Sequence, residues 1–152
     1  MQIDKEAVLK IGDAKQIPRQ ILNGLIIHES GWNLNATRFE PDFYKRYPLK
    51  PTDFVPKGCS RDTEWALRSV SWGIMQIMGE TARENGFRGW FPELVDPVTC
   101  ATIGVNYLSH LQSELKGLGW NIILTAYNRG LGMAHVDNGY AAAVFAAGGW
   151  TN

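Results

Sequence analysis

The chain has 152 residues, 45% of them hydrophobic and 20% charged, which is enough for one buried core and too little for two ordinary domains. Fifteen Lys and Arg balance fifteen Asp and Glu, so no global basic field draws it onto nucleic acid or an anionic membrane surface. The least charged windows, Pro97 to Ser109 and Gly117 to Asn128, fall short of the roughly 20 apolar residues that span a bilayer and read as buried helices. The N-terminal run Met1 to Glu6 is charged and lacks the apolar core of an export signal. Cys59 and Cys100 stand apart with no CxxC and no nearby Cys/His cluster, so zinc is not expected. A single disulfide and two free thiols both fit this spacing.

The spacing of Ala7, Val8, Ile11 and Ala14 predicts a first helix over Asp4 to Gln16. Ile17-Pro18 restarts the chain with proline at a favoured first helical position, and a second helix runs to Ser30, stopped by Gly31. Its apolar stripe is Leu22, Leu25 and Ile26. Gly24 inside it costs about 1 kcal/mol relative to alanine, which points to another backbone passing close by. Glu29 follows Leu25 by four residues and Ile26 by three, so it faces the core side of the helix. Burial there disfavours the carboxylate and makes Glu29 a candidate general acid; a partly exposed glutamate at a fraying end is the alternative.

Arg38 to Gly58 holds four of the seven prolines, interleaved with Phe39, Phe43, Tyr44, Tyr47 and Phe54. It reads as an irregular lobe, with at most one short helix, that walls a binding site; its aromatics argue against disorder. Asp62 to Val70 reads as a short helix and Ser71-Trp72-Gly73 as a tight turn feeding Ile74 to Met78, a run too short to assign. Thr81 to Asn85 resumes as helix. Asp96-Pro97 then starts the longest one, Val98 to Leu115, apolar on two faces and so placed at the centre of the core. Trp120 to Asn128 and Tyr140 to Ala147 complete a mainly α architecture, with a central buried helix and one irregular lobe in a single domain over residues 1–152. No convincing strand alternation is present.

Three segments set polar groups beside apolar helices: His28-Glu29-Ser30-Gly31-Trp32, Ser71-Trp72-Gly73-Ile74-Met75-Gln76 and Thr125-Ala126-Tyr127-Asn128-Arg129-Gly130. In that order they resemble the soluble lytic transglycosylases that cleave bacterial cell-wall glycan, relatives of goose-type lysozyme. That family carries Glu-Ser at the end of a core helix, Gly-Leu-Met-Gln further on and Ala-Tyr-Asn near the C-terminal helices. The likeness spans Pro18 to Gly132. Ile74 stands where leucine is usual, Arg129 and Leu131 replace a small residue and a proline that commonly follow, and the Arg38 to Arg68 region is long.

The resemblance implies a lysozyme-like fold and cleavage of the β-1,4 bond after N-acetylmuramic acid. Glu29 would act as acid and then base, the sugar's N-acetyl group would stabilise the developing cation, and the 6-hydroxyl would close a 1,6-anhydro ring. No cofactor or metal is needed. Tyr127 is then expected to bond Glu29 or the N-acetyl carbonyl, with a satisfied core tyrosine as the alternative. Gln76 and Asn128 are expected to bind sugar hydroxyls or amides, or else to cap turns. Met75 offers an apolar contact to a sugar face or fills the core. Gly73 supplies the turn, Ser30 caps or orients the helix end, and His28 faces away.

Glu40 is the ambiguous carboxylate: across the cleft it could position water in a hydrolysing muramidase, and on the surface it pairs with Arg38 or Arg46. A structural or binding role is favoured. The expected partner is the peptidoglycan strand, met by a monomer without nucleic acid or membrane insertion. The expected place of action is the bacterial wall in the periplasm, reached by a phage-encoded enzyme carried on the particle or released at lysis. A reading of another class is a non-catalytic wall-binding or phage tail structural protein; the joint presence of Glu29, Gln76 and Tyr127 argues against it.

Overall fold

The computed structural model describes residues 3–151. Met1 and Gln2, part of the stretch read above for an export signal, lie outside them. Helix α1 (Lys5–Asp13) begins where Asp4 accepts the Ala7 N–H at 3.0 Å, a side-chain cap for one of the unpaired first-turn donors. Helix α2 (Arg19–Ser30) starts one residue later than expected, with Pro18 as its cap and Gly31 closing it at φ 60°. It buries Ile21, Leu22, Gly24, Leu25 and Ile26 along one broad face.

The irregular lobe follows. Within it Thr37–Phe39 forms strand β1 and Pro41–Arg46 a short helix α3, and the chain to Ser60 has no further regular element. Helix α4 (Arg61–Arg68) is capped by Ser60, whose hydroxyl accepts the Thr63 N–H at 3.1 Å. Strands β2 (Val70–Trp72) and β3 (Ile77–Met78) complete a three-stranded antiparallel sheet in the order β1-β2-β3. Thr37 pairs with Trp72 and Phe39 with Val70 on one side, and Ser71 with Met78 on the other.

This sheet corrects the sequence reading, which had Val70 in a helix, Ser71 and Trp72 in a turn, and no strands. Two or three residues per strand are too few for a period-two pattern to show. The turn lies one step later, at Gly73 to Gln76.

Helix α5 (Gly79–Glu84), a 3-10 turn over Phe91–Val95 and helix α6 (Pro97–Glu114) follow. As expected, α6 is the central helix: Cys100, Ala101, Val105, Leu108 and Leu111 have no exposed surface, and it packs on α1, α7 and the 3-10 turn. Helices α7 (Trp120–Arg129) and α8 (Tyr140–Gly148) close the core. Both cysteines are free, Cys100 buried with its thiol pushed up to about 11 by desolvation. Among the described residues, no helix is long and apolar enough to cross a membrane.

Two features hold the site's supports. Gly24 of α2 lets α8 approach closely: a Cβ there would lie 2.3 Å from the Val144 carbonyl oxygen, and one on Gly148 would lie 2.0 Å from that of Gln20. Beneath the lobe, Glu64 is 1% exposed and its carboxylate accepts bonds from Arg68 Nε at 2.9 Å and Arg83 Nε at 2.7 Å. Arg83 also reaches the carbonyls of Phe87 and Gly89 and lies 4.1 Å over the Phe91 ring, while Arg68 bonds Glu80 and the Phe54 carbonyl. All these polar groups are paired, and nothing in the sequence pattern marked them.

Gly24→Ala gains about 1 kcal/mol of helix propensity but must push two backbones apart, so a net loss of about 1–2 kcal/mol is expected. A lower denaturant midpoint at constant slope would show it. Glu64→Gln leaves two buried guanidinium groups short of charge and is expected to cost about 3–5 kcal/mol by the same measurement. A loss under about 1 kcal/mol, the worth of an exposed pair, would mean that the network is well solvated.

Candidate active site

Glu29 sits in the last turn of α2, half-buried, and is the acidic group at one end of a cleft of about 310 Å³. Arg38, Glu40, Phe43, Ser71, Gln76, Met78, Tyr127 and Asn128 line the rest. Five of the eight site residues read from the sequence therefore share this cleft: Glu29, Glu40, Gln76, Tyr127 and Asn128.

The turn after β2 fixes one wall. Gly73 adopts φ 64°, and a Cβ there would strike the Leu94 carbonyl oxygen at 2.3 Å, so only glycine fits. Gln76, at φ 48°, folds its side chain back into the turn. Its amide nitrogen donates to Ala36 O at 2.9 Å and Gly73 O at 3.0 Å, and its oxygen accepts from the Ser71 hydroxyl at 3.1 Å. Gln76 thus performs the turn-capping alternative, ties Ala36, the residue before β1, to the turn, and still borders the cleft. Ser30 acts as expected of an orienting residue: its hydroxyl lies 2.8 Å from Ile74 O and 3.2 Å from Ile26 O, joining the end of α2 to that same turn.

Tyr127 and Met75 take the alternatives stated for them, a tyrosine with a satisfied hydroxyl and a core-filling methionine. Tyr127 does not bond Glu29; its hydroxyl donates to the Met75 carbonyl at 2.8 Å, and burial raises its pKa well above the ordinary value. Met75 does not face the cleft: it is fully buried, its sulfur packed where Gly104 leaves space, and Met78 takes the place at the cleft wall. A four-residue turn between two strands puts Met75 and Met78 on opposite sides, which the unassigned run could not show.

The partner of Glu29 is Tyr140, at the first position of α8, whose hydroxyl donates to Glu29 Oε1. Sequence reading missed it because the two are 111 residues apart and Tyr140 opens an alanine-rich helix that looks purely structural. The exposed His28 does not turn wholly away either: its ring meets that of Tyr140 edge-on at 4.9 Å between centroids.

Electrostatics at Glu29 are a contest between these neighbours. Desolvation by burial raises its pKa, the Tyr140 bond and the charges of His28 and Arg38 lower it, and burial wins. A raised carboxyl in a cleft is the form suited to donating a proton. The same carboxylate raises the pKa of Tyr140, after burial itself, so the phenol stays protonated and remains the donor.

On the opposite wall Glu40 bonds Arg38 Nε at 2.5 Å, the surface pairing foreseen as one of its two roles. Asn128 accepts a bond from Asn138 Nδ2 at 2.9 Å, and Asn138 in turn accepts the Tyr140 N–H at 3.3 Å. Arg129, where the resemblance has a small residue, donates to Val136 O at 3.1 Å and pins the loop leading to α8. No group of three or more His, Cys, Asp or Glu among the described residues is arranged to hold a metal ion.

In comparisons with known proteins, the family model described as the transglycosylase SLT domain matches residues 6–144. No curated protein and no solved structure matches the chain significantly.

Because the Tyr140 hydroxyl favours the ionised form of Glu29, Tyr140→Phe is expected to move the Glu29 pKa further upward. Carbon-detected NMR titration of the Glu29 carboxyl reads this directly. A downward move would mean that the phenol is not the donor.

Proposed function

The chain belongs to the transglycosylase SLT family, whose members act on peptidoglycan, and from that premise we propose that it cleaves the glycan between N-acetylmuramic acid and N-acetylglucosamine with Glu29 as acid and base. The observation that carries this is a single carboxyl raised by burial, at the end of a core helix, in a cleft of about 310 Å³. Glu29 gives its proton to the leaving oxygen as the C1–O4 bond breaks. The substrate's N-acetyl carbonyl oxygen bonds to C1 in its place and carries the positive charge. Glu29, now ionised, takes the proton from the 6-hydroxyl, whose oxygen displaces the carbonyl from C1 and closes the 1,6-anhydro ring. No water is consumed, and Glu29 ends protonated as it began.

One feature favours this over hydrolysis by a pair of acids. Glu40 is held by Arg38 and so is less available to activate water. Tyr140 stabilises the ionised Glu29 that the second step requires. The place of action that follows is the bacterial wall.

Glu29→Gln is expected to reduce release of soluble fragments from purified peptidoglycan by about 10²–10⁴-fold while circular dichroism stays unchanged. Mass spectrometry of the wild-type products is expected to show ends one water lighter than hydrolysed muramic acid. Free reducing ends would convert the assignment to a lysozyme, and full activity in the folded variant would remove Glu29 from the mechanism. Since the first step needs the protonated acid, the rate is expected to fall as pH rises through the raised Glu29 pKa.

A further inference from the structure

Next to the cleft, with Phe43 as shared wall, lies a second and larger cavity of about 530 Å³. Its one side is α3 and the segment after it, with Arg46, Tyr47, Pro48 and Lys50; its other side is α5, with Glu80, Thr81 and Glu84. Some of its charges are already committed. Glu80 is held by Arg68 at 3.1 Å, and Asp53 accepts the Lys50 backbone N–H at 2.7 Å. Three are not: among the described residues, the side chains of Arg46, Lys50 and Glu84 make no hydrogen bond or ion pair.

The cavity is therefore bipolar, with two free cations on one side and a free carboxylate on the other. Burial and the neighbouring charge of Glu80 raise the Glu84 pKa, against the pull of Arg68, Lys50 and His110, so an additional cation there would relieve a strained charge. An uncharged amino-sugar backbone offers hydroxyls and amides, and these gain little from separated charges of opposite sign. A peptide with carboxylates and an amine gains from both. The lactyl branch of muramic acid leaves the sugar sideways, so a peptide hanging from it can pass Phe43 while its sugar lies in the cleft. A cavity of this size accommodates a ligand of several hundred daltons.

We propose that this cavity binds the zwitterionic peptide branch of the strand, Arg46 and Lys50 taking its carboxylates and Glu84 its amine. The inference rests on peptidoglycan being the substrate. It makes the irregular lobe a reader of the peptide rather than an additional sugar wall.

The first test is an NMR titration of the whole protein with the synthetic peptide N-acetyl-L-Ala-γ-D-Glu-L-Lys-D-Ala, which has two carboxylates and one amine. Shifts confined to α3, residues 47–53 and α5 are expected, with affinity falling at least tenfold in Glu84→Gln, in the double variant Arg46→Gln/Lys50→Gln, and for peptide acetylated on its lysine. No binding, or binding indifferent to all three changes, overturns the proposal. The second test compares kcat/KM on peptide-bearing strands with that on strands stripped by an amidase. The ratio is expected to fall about tenfold in the double variant; an unchanged ratio assigns the cavity to sugar and overturns the proposal. If the wild type cleaves neither strand, the peptidoglycan reading fails, and the titration still decides what the cavity binds.

Discussion

The hydrogen bond from Tyr140 to Glu29 is the contact on which the rest of the structure turns, because it joins the two ends of the chain at the one carboxyl in the cleft whose pKa burial raises. For it to form, α8 must cross α2 so closely that neither helix can carry a side chain at the contact. Gly24 and Gly148 meet that condition, each facing the other's backbone. The helix-propensity penalty of a mid-helix glycine is thus offset by a crossing that places a phenol over an acid. Packing and site chemistry share the same two helices, α2 and α8. The loop before α8 is pinned by Arg129 on Val136 and by the Asn128–Asn138 bond, so the position of Tyr140 is set from both sides.

A second set of contacts holds the other side of Glu29. Ser30 and Tyr127 both donate to carbonyls of the Gly73 to Gln76 turn, one from α2 and one from α7, while Gln76 uses its side chain to close the turn from within. The polar residues of the three sequence segments are therefore mostly spent on each other. They build the rim of the cleft, and Glu29 is the group left facing it with a raised pKa. This accounts for their joint presence better than a set of independent sugar contacts, because a cleft lined by already satisfied groups keeps its shape without substrate.

Much of this was legible in the sequence, and the failures have physical causes. Helical periodicity over many residues gave α1, α2, α6 and α7 to within a few positions, and it put Glu29 on the right face. Gly24 announced a close approach before the partner helix was known. Strands of two and three residues carry no period, so the sheet and the side of Met75 were hidden. Tyr140 and the Glu64–Arg68–Arg83 network depend on contacts between distant segments, and charged residues on a short helix look solvated until a second helix covers them. Glu40 stood between two roles because both need only exposure, and the structure pairs it with Arg38, two residues away.

The raised pKa of Glu29 also links the proposed chemistry to folding. An acid whose folded pKa lies above its unfolded value binds its proton more tightly in the native state. Its contribution to stability is then full below the unfolded pKa and is lost as pH rises through the folded one. Above that range the fold carries a desolvated carboxylate, and the Tyr140 bond offsets part of the cost. The two influences on Glu29 correspond to the two halves of the proposed cycle: burial favours the acid that breaks the glycosidic bond, and the phenol favours the base that takes the hydroxyl proton. A site with burial alone would hold its proton too firmly to give it up readily, and one with the phenol alone would ionise too early to donate and leave a carboxylate too weakly basic to take the hydroxyl proton. Under the proposed mechanism, setting both on one carboxyl lets a single residue serve in turn as each.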